Sequence, residues 1–220
     1  MTVCRLREEL MQRPSWVLSI IGAGGSGKTS KAFWILDNWF PEETIHAFHF
    51  PESTLASLPE RMRSRFNPFD DMQQIAGVPG IVLLDDVALF FLSRSGSSTA
   101  SRDLISTMTI GRHNDHRYLI TCQNSILMDK GLMESLDQFS IRCRMTELQT
   151  MTEREELRDL QAQVNLVLDE VTVGLTRMDS LGFCYSVETD EVLILPDFPD
   201  MTESISKPYK GRCVRNGSLV

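Results

Sequence analysis

An α/β fold, with helices packed on both faces of a mainly parallel central sheet, is predicted by three stretches of this sequence. Residues 22–29, Gly-Ala-Gly-Gly-Ser-Gly-Lys-Thr, lie between an apolar run and a helical pattern. A second apolar run, residues 81–84, ends in two adjacent acids, and a third, residues 117–122, ends in an amide side chain. Polar groups at the carboxyl ends of buried strands are typical of the ligand-binding edge of an open α/β sheet.

The first stretch matches the phosphate-binding pattern G-x-x-x-x-G-K-[ST] without a mismatch. The apolar run before it predicts a buried strand, and the residues from Lys28 onward predict a helix. Glycines allow positive φ angles, so the backbone N–H groups can turn toward an anion that also faces the positive end of the helix dipole. In this context the motif predicts a three-layer P-loop NTPase of the RecA-like kind. The alternative, a glycine-rich turn that matches by chance, is disfavoured by the flanking strand and helix.

ATP and Mg²⁺ are the expected ligands of this loop. We expect Lys28 to reach the β- and γ-phosphates and the hydroxyl of Thr29 to bind Mg²⁺. The residues expected to hold the nucleotide are Gly22, Ala23, Gly24, Gly25, Ser26, Gly27, Lys28, Thr29 and Ser30.

Composition limits the remaining possibilities. A chain of 220 residues suits one domain with a short appendage. The net charge of −8 argues against a protein that coats nucleic acid with its whole surface, but it allows a locally basic groove or pore. The five cysteines are far apart, which favours reduced thiols. No secretory signal is visible, and no apolar run approaches the roughly 20 residues of a membrane helix, so no membrane span is expected.

The amino-terminal half is predicted from its hydrophobic periodicity and its prolines. The predicted elements are a helix over 3–13, a strand over 16–21, a helix from 28 to about 40, a strand over 44–50, a helix over 52–66, and a turn over 67–71 that leads into a short helix.

The two acids after the second apolar run, Asp85 and Asp86, are predicted to serve catalysis. A carboxylate at the carboxyl edge of a parallel sheet lies beside the phosphate loop. We expect Asp85 to hold Mg²⁺ directly or through water, and Asp86 to act as the general base that polarises the attacking water. The alternative is a buried strand followed by an acidic helix cap.

Gln123 follows the strand predicted over 117–122. A strand that comes after the paired acids and carries an amide at its tip is typical of P-loop enzymes with an extra strand between the strands of the loop and the acids. We expect Gln123 to contact the γ-phosphate and orient the water. A capped strand end is the alternative.

The stretch between these two strands contains small polar residues over 93–101 and a predicted helix over 102–110. The small polar residues form either a plain surface connection or a loop that faces DNA or senses nucleotide. Later in the chain we predict a helix over 129–138 and a strand over 139–145, which places Arg142 and Arg144 on one face.

The carboxyl-terminal third is predicted to begin with a capping box at Thr152-Glu153-Arg154-Glu155 that opens an amphipathic helix. Docking of that helix on the chain's own sheet is favoured over a subunit interface. A hairpin is predicted over 182–195, and an extended arm is predicted from Pro196 onward. The end of the arm is basic, and it is either a disordered tail or a weak contact for DNA or a partner. This divides the chain into an ATPase domain over 1–175 and a hairpin with an arm over 176–220.

Four features together resemble the FtsK–HerA superfamily of DNA translocases. They are the loop at 22–29, the run 81–86 with its paired acids, Gly111-Arg112-His113, and the strand ending in Thr121-Cys122-Gln123. Within the superfamily the chain looks most like the small genome-packaging ATPases of double jelly-roll viruses, of the poxvirus and tectivirus types. The likeness spans residues 14–146. The superfamily commonly has Asp-Glu where this chain has Asp85-Asp86. The side chain of Asp86 is shorter than that of the glutamate, so the position of the attacking water can differ.

The resemblance implies a homo-oligomeric ring of five or six subunits that hydrolyses ATP and threads double-stranded DNA into a preformed capsid. Its partners would be DNA, bound through phosphates independently of sequence, and capsid vertex proteins. The expected location is the host cytoplasm, with retention at a virion vertex as a further expectation. An arginine finger from the neighbouring subunit, worth roughly 10³–10⁵ in rate, is assigned to Arg112, with Arg142 and Arg144 as further candidates. The alternative for Arg112 is a cation that caps a helix.

Three other functions are alternatives to this one. An AAA-type loader or transposition helper would need a helical lid at the carboxyl terminus, and a small-molecule kinase would need an arginine-rich lid over the phosphates. A morphogenesis protein that binds ATP without turnover would usually carry a membrane anchor.

Overall fold

A computed structural model describes residues 4–75, 77–87, 106, 115–125 and 139–208, together with the backbone of 214–215 and 218–219. The predicted loop over 93–101, the helix over 129–138 and the tripeptide that contains Arg112 lie outside the described residues. So does the helix predicted over 102–110, apart from Ser106.

The described helices and strands are as follows. The helices are α1 (Arg5–Gln12), α2 (Lys28–Asn38), α3 (Glu52–Ser57), α4 (Glu60–Arg63), α5 (Glu147–Met151), α6 (Glu155–Val171), α7 (Arg177–Ser180) and α8 (Glu203–Ser206), with a 3₁₀ turn at Met72–Ile75. The strands are β1 (Trp16–Ile21), β2 (Ile45–Phe48), β3 (Phe66–Phe69), β4 (Ile81–Leu84), β5 (Arg117–Cys122), β6 (Phe139–Cys143), β7 (Phe183–Ser186) and β8 (Glu191–Ile194), and a two-stranded ribbon joins β9 (Val214–Arg215) to β10 (Ser218–Leu219).

One eight-stranded sheet organises the molecule, in the order β3-β2-β4-β5-β1-β6-β7-β8. The strands from β3 to β6 are parallel, and β7 and β8 are antiparallel. β5 lies between β1 and β4, so the strand that ends before Gln123 separates the strand of the glycine-rich loop from the strand of the paired acids. This arrangement is the one predicted from the sequence.

Helices cover both faces of the sheet and give three layers. Every residue of β1 is buried, as expected for a central parallel strand. α2 packs against β1 and β5, and its Phe33 ring stacks on Phe66 at 5.7 Å between centroids. α6 contacts β6 and β7 through the buried Val164 and Leu168. This helix therefore docks on the chain's own sheet, as predicted.

The helix predicted over 52–66 is wrong. The chain forms two short helices, α3 and α4, because Pro59 lacks an N–H group and pushes Leu58 to an extended conformation with ψ of 146°. The turn predicted at Asn67 is also wrong, because Phe66–Phe69 pairs with β2 as an edge strand. Pro68 has no N–H group, and it is tolerated there because one side of an edge strand has no neighbouring strand to which an N–H group would donate.

The predicted capping box at 152–155 is wrong as well. The structure forms a capping box between Thr146 and Gln149, at the start of α5. Thr152 ends α5, and α6 begins after Arg154 without a side-chain cap. The carboxylate of Glu153 points into the interior and bonds other partners, so it does not return to the helix end.

The carboxyl-terminal hairpin is present as predicted, with β7 and β8 joined as antiparallel strands. It extends the main sheet beyond β6. The following segment returns over the domain, where Phe198 and Ile205 are buried, and the hydroxyl of Thr54 donates to the carbonyl of Ser204 at 3.1 Å. The division of the chain at residue 175 stays a prediction.

In the described part of the chain, none of the helices combines the length and the apolar character that crossing a membrane requires.

Candidate functional site

The glycine-rich loop, residues 22–27, connects β1 to α2. Gly25 and Gly27 have φ angles of 77° and 76°, and Gly27 is the residue from which α2 starts. Within the described part of the chain, no protein acceptor lies at hydrogen-bond distance from the amides of Gly24, Gly25 and Gly27. Left-handed glycines and amides without a protein acceptor at a helix start suit the binding of an anion.

Gly22 is required by packing rather than by backbone conformation. A Cβ at this position would lie 2.5 Å from Cβ of Cys143 on β6. The loop therefore sits directly against the neighbouring strand, and any larger residue at position 22 would push it out of place.

Lys28 is buried at the start of α2, and its Nζ donates to the carbonyl of Ala23 at 2.9 Å. The ammonium group therefore folds back over the loop. Burial lowers the pKa of Lys28, while the nearby carboxylates Asp86 and Asp85 act in the opposite direction. A desolvated cation beside inward amides increases the attraction of the loop for an anion.

Asp85 is buried at the end of β4 and is held by two threonines. The hydroxyl of Thr29 donates to its carboxylate at 3.0 Å, and the hydroxyl of Thr121 on β5 donates at 2.7 Å. Burial raises the pKa of Asp85 and the neighbouring Asp86 adds to this, whereas the threonine hydrogen bonds lower it. A hydroxyl next to a carboxylate is an oxygen donor set that suits Mg²⁺, so these two side chains fit the ion that the sequence implied.

Asp86 turns away from the strand with a φ angle of 49°, and its N–H donates to the hydroxyl of Thr121 at 2.7 Å. Its carboxylate accepts a long hydrogen bond of 3.4 Å from Nε2 of Gln123. Burial raises the pKa of Asp86, and Lys28 and Gln123 oppose that shift. The structure thus places the two catalytic candidates of neighbouring strands in contact.

A cavity of about 620 Å³ opens in front of these groups. Lys28, Thr29, Asp85, Asp86 and Gln123 line it together with the glycine-rich loop. Side chains separated by nearly 100 residues in the sequence therefore face one space.

A second cavity of about 620 Å³ also adjoins the loop, and it was not predicted from the sequence. Arg144 and Thr146, which follow β6, form one wall. Arg177, Leu181 and Phe183, from α7 and β7, form another. Apolar side chains, two guanidinium groups and the carboxylate of Asp169 make a mixed surface, whereas carboxylates and lysines supply the charged lining of the first cavity.

Ser30 and Lys31 fasten the start of α2 to the carboxyl-terminal segments. The hydroxyl of Ser30 donates to Asp197 at 3.1 Å and accepts from the N–H of Phe198 at 2.8 Å. Nζ of Lys31, which is 1% exposed, donates to the carbonyls of Ser26 and Leu181 at 2.7 Å. The sequence analysis placed Ser30 with the nucleotide-binding residues and did not single out Lys31.

The arginine candidates have different environments. Arg112 lies outside the described residues. Arg142 is buried and bonds Glu153 at 3.3 Å within the chain, so its prediction as a finger for a neighbouring subunit is wrong. Arg144 is partly exposed, forms an ion pair with Asp169 and donates to Thr172 at 2.9 Å.

No protein-family model matches the chain, and no curated protein matches it. Solved structures match it at the level of fold. The genome packaging NTPase B204 of Sulfolobus turreted icosahedral virus 2, in complex with ATP-gammaS, superposes with a TM-score of 0.51 and 14% identity over 84% of this chain and 98% of that chain.

Two other structures superpose with similar TM-scores, over a smaller share of their own chains. ATPases 2 and 3 of EccC from Thermomonospora curvata match with a TM-score of 0.53 and 10% identity, over 87% of this chain and 40% of that chain. ATPases 2 and 3 of EssC from Geobacillus thermodenitrificans match with a TM-score of 0.51 and 12% identity, over 86% and 40%. The central sheet, its strand order and these likenesses show that the chain shares the fold of these NTPase structures.

Proposed function

We propose that this chain hydrolyses ATP to ADP and phosphate and uses the energy to move double-stranded DNA into a viral capsid. The observation that carries the proposal is the contact between the ends of three adjacent strands. Thr29, in the first turn of α2, donates to Asp85, which follows β4, and Gln123, which follows β5, donates to Asp86. Oxygen ligands, a general base and an orienting amide thus converge beside a phosphate-sized loop.

In this proposal the first cavity holds the phosphates. The loop amides and Lys28 bind the β- and γ-phosphates, and Thr29 and Asp85 hold Mg²⁺, which neutralises developing charge on the phosphate oxygens. Asp86 accepts a proton from water while Gln123 orients it, and the raised pKa of Asp86 brings this carboxylate closer to the operating pH of a base.

The second cavity holds the nucleoside. It adjoins the glycine-rich loop at Gly24 and Gly25, which also line the first cavity, so one ligand can extend across both. Leu181 and Phe183 offer apolar contact to a base, and Arg177 offers a hydrogen-bond donor to the ribose or base.

Translocation of DNA is supported by two likenesses. The motif combination resembles DNA translocases, and the fold matches a protein named as a genome packaging NTPase over 98% of its chain. A homo-oligomeric ring, sequence-independent contact with DNA phosphates and attachment to capsid vertex proteins follow as parts of the proposal. In the ring, Arg112 of one subunit completes the site of the next.

A second candidate is translocation of a polypeptide. It is favoured by the similarity to EccC, whose structure was solved in complex with a signal sequence peptide. The AAA-type loader gains no support, because the described carboxyl-terminal part forms a hairpin on the sheet edge. The morphogenesis protein without turnover stays an alternative.

The decisive experiment measures ATP turnover with and without linear double-stranded DNA, alongside the mass of the protein in solution. We expect stimulation that weakens as the salt concentration rises, because DNA phosphate contacts release counterions. We also expect a mass of five or six subunits. Stimulation by an unstructured peptide and none by DNA would favour the second candidate, and binding without turnover would favour the morphogenesis protein.

The role of Arg112 needs a test between subunits. Mixing the Arg112→Ala chain with the Lys28→Ala chain should restore part of the turnover, because each mixed interface can combine an intact loop with an intact arginine. Absence of any rescue argues against an arginine that acts on the neighbouring subunit.

A further inference from the structure

The segment that follows β5, residues 123–125, is bonded to the junction between α5 and α6. The N–H of Ser125 donates to Oε1 of Glu153 at 3.0 Å, and its hydroxyl donates to Oε2 at 2.6 Å. Nε of Arg154 donates to the carbonyl of Ser125 at 3.1 Å. Each polar group of Ser125 therefore has a partner at this junction, nearly 30 residues away in the sequence.

Asn124 is bonded to the same junction. Its Nδ2 donates to the hydroxyl of Thr152 at 3.2 Å and to the carbonyl of Gln149 at 3.4 Å. Its carbonyl accepts from the thiol of Cys122 at 3.1 Å, which closes the turn back onto the end of β5. The segment after Gln123 is thus held by the junction between α5 and α6 and by the strand it leaves.

Glu153 is the centre of these contacts. It is 1% exposed, and the side chain of its partner Arg142 is 2% exposed. Nη1 of Arg142 lies 3.3 Å from Glu153 and also donates to Gln161 at 3.2 Å. Removing two charges from water is costly, so a buried ion pair is weak support for stability by itself. The contact of Glu153 with Ser125, just after the end of β5, indicates another role for this ion pair.

Gln123 differs sharply from the residues that follow it. Its side chain is exposed to the first cavity and has the 3.4 Å hydrogen bond to Asp86. On one side of Gln123 the backbone belongs to β5, which is paired with β1 and β4, and on the other side it is held by Glu153. Because the backbone is fixed on both sides of Gln123, this residue can move mainly through its side-chain torsions.

We propose that Glu153 is a positioning residue that fixes the backbone of Gln123 through Ser125, so that the amide stands beside Asp86 and the attacking water. This inference rests on the proposed function, because Gln123 matters only if the site hydrolyses ATP. A misplacement of about 1 Å at a reacting group can reduce the rate by about 10²-fold, so a fixed backbone at this position affects turnover.

The test is Glu153→Asp, which keeps the buried negative charge opposite Arg142 but shortens its reach to Ser125. We expect the kcat to fall by about 10- to 100-fold while the Kd for ATP is unchanged. Hydrogen exchange of the amide of Ser125 should accelerate as its acceptor withdraws. The double variant with Gln123→Ala should be no slower than Gln123→Ala alone, because both changes remove the same placement of the amide.

Two further variants keep the result interpretable. Ser125→Ala removes one of the two hydrogen bonds to Glu153 and leaves the buried ion pair intact, so it should fold and lower the kcat by a smaller factor. Glu43→Asp is the matched control, because Glu43 pairs with Arg117 at the opposite end of β5, at 2.6 Å. It shortens a carboxylate that is bound to the same strand and should leave the kcat unchanged.

The inference is overturned if folded Glu153→Asp retains the wild-type kcat, or if its loss adds fully to that of Gln123→Ala. The inference is also overturned if Ser125→Ala retains the wild-type kcat and if Gln123→Ala lowers the kcat by the same factor with and without the Ser125 substitution. A wild-type chain that binds ATP and does not hydrolyse it removes the proposed function itself, which is a different result from an active wild type with an unaffected variant.

Discussion

The two cavities beside the glycine-rich loop have equal volumes and different origins. The first is lined by the loop, by groups that follow β4 and β5 and by the carboxyl-terminal segment, and its lining includes three carboxylates, two lysines and an amide. The second is lined by the loop, by residues that follow β6 and by α6, α7 and β7, and it combines apolar side chains with two arginines and one carboxylate. One has the groups that a phosphate reaction needs, and the other has a surface that suits a nucleoside.

The difference shows how chemistry and recognition are divided in this fold. Parallel strands end at the same edge, so the topology itself brings Asp85 and Gln123 to the loop. The second cavity depends on where an antiparallel hairpin and a short helix pack. This division predicts that substitutions in the first cavity alter the rate and that those in the second alter affinity for the nucleoside.

The largest expected effect is that of Lys28→Ala. Loss of a buried cation beside the phosphates should reduce turnover by at least about 10²–10³-fold and weaken binding of ATP. Turnover and ATP affinity of purified, folded protein would measure it, with the exposed Arg63→Ala as a control that should behave as wild type. Wild-type turnover in the lysine variant would mean that the first cavity is not the reaction site.

Asp86→Asn should separate binding from reaction within the first cavity. The variant should bind ATP with near wild-type affinity and lose about 10²–10⁴-fold in kcat, because the amide cannot accept the proton of water. Equilibrium binding of a fluorescent ATP analogue and steady-state turnover would be compared. Retention of the kcat would remove Asp86 from the role of base and leave Gln123 to orient the water alone.

The pH dependence of the wild-type kcat sharpens the same assignment. Burial raises the pKa of Asp86 above its ordinary value of 3.8, and a general base must be deprotonated to act. The rate should therefore fall as the pH falls through this raised pKa, at a higher pH than an ordinary aspartate would show. A kcat that stays constant down to an ordinary aspartate pKa contradicts the assignment.

The smallest expected effect lies in the second cavity. Arg177→Ala should weaken binding of ATP and ADP by roughly tenfold through loss of one charged hydrogen bond, with the kcat unchanged. Affinity for inorganic tripolyphosphate should not change, because that ligand has no nucleoside. Met178→Ala, an exposed neighbour on α7, serves as the control. Equal weakening of tripolyphosphate would show that the two cavities are not divided in this way.

Several features of the fold could be predicted because they depend on local pattern. β1 and β5 were predicted with their observed bounds, since continuous apolar runs between polar ends indicate buried parallel strands. The position of β5 between the strands of the loop and of the acids was also predicted. β3 was missed because Asn67-Pro68 reads as a turn, and only pairing with β2 makes an edge strand there.

The site shows the same limit. Lys28, Thr29, Asp85, Asp86 and Gln123 were all chosen from the sequence, because each follows a recognisable strand or motif. The hydrogen bonds of Lys31 and Glu153 could not be predicted, since their partners lie far apart along the chain.

The sequence by itself determined which side chains stand at the ends of the parallel strands, because short-range periodicity and glycine placement specify strand, loop and helix. Only the tertiary structure decided that Glu153 turns inward to hold Ser125, and that Ser30 and Lys31 fasten the carboxyl-terminal segments. A buried polar group must find a hydrogen-bonding partner, and which partner is within reach depends on how distant segments pack.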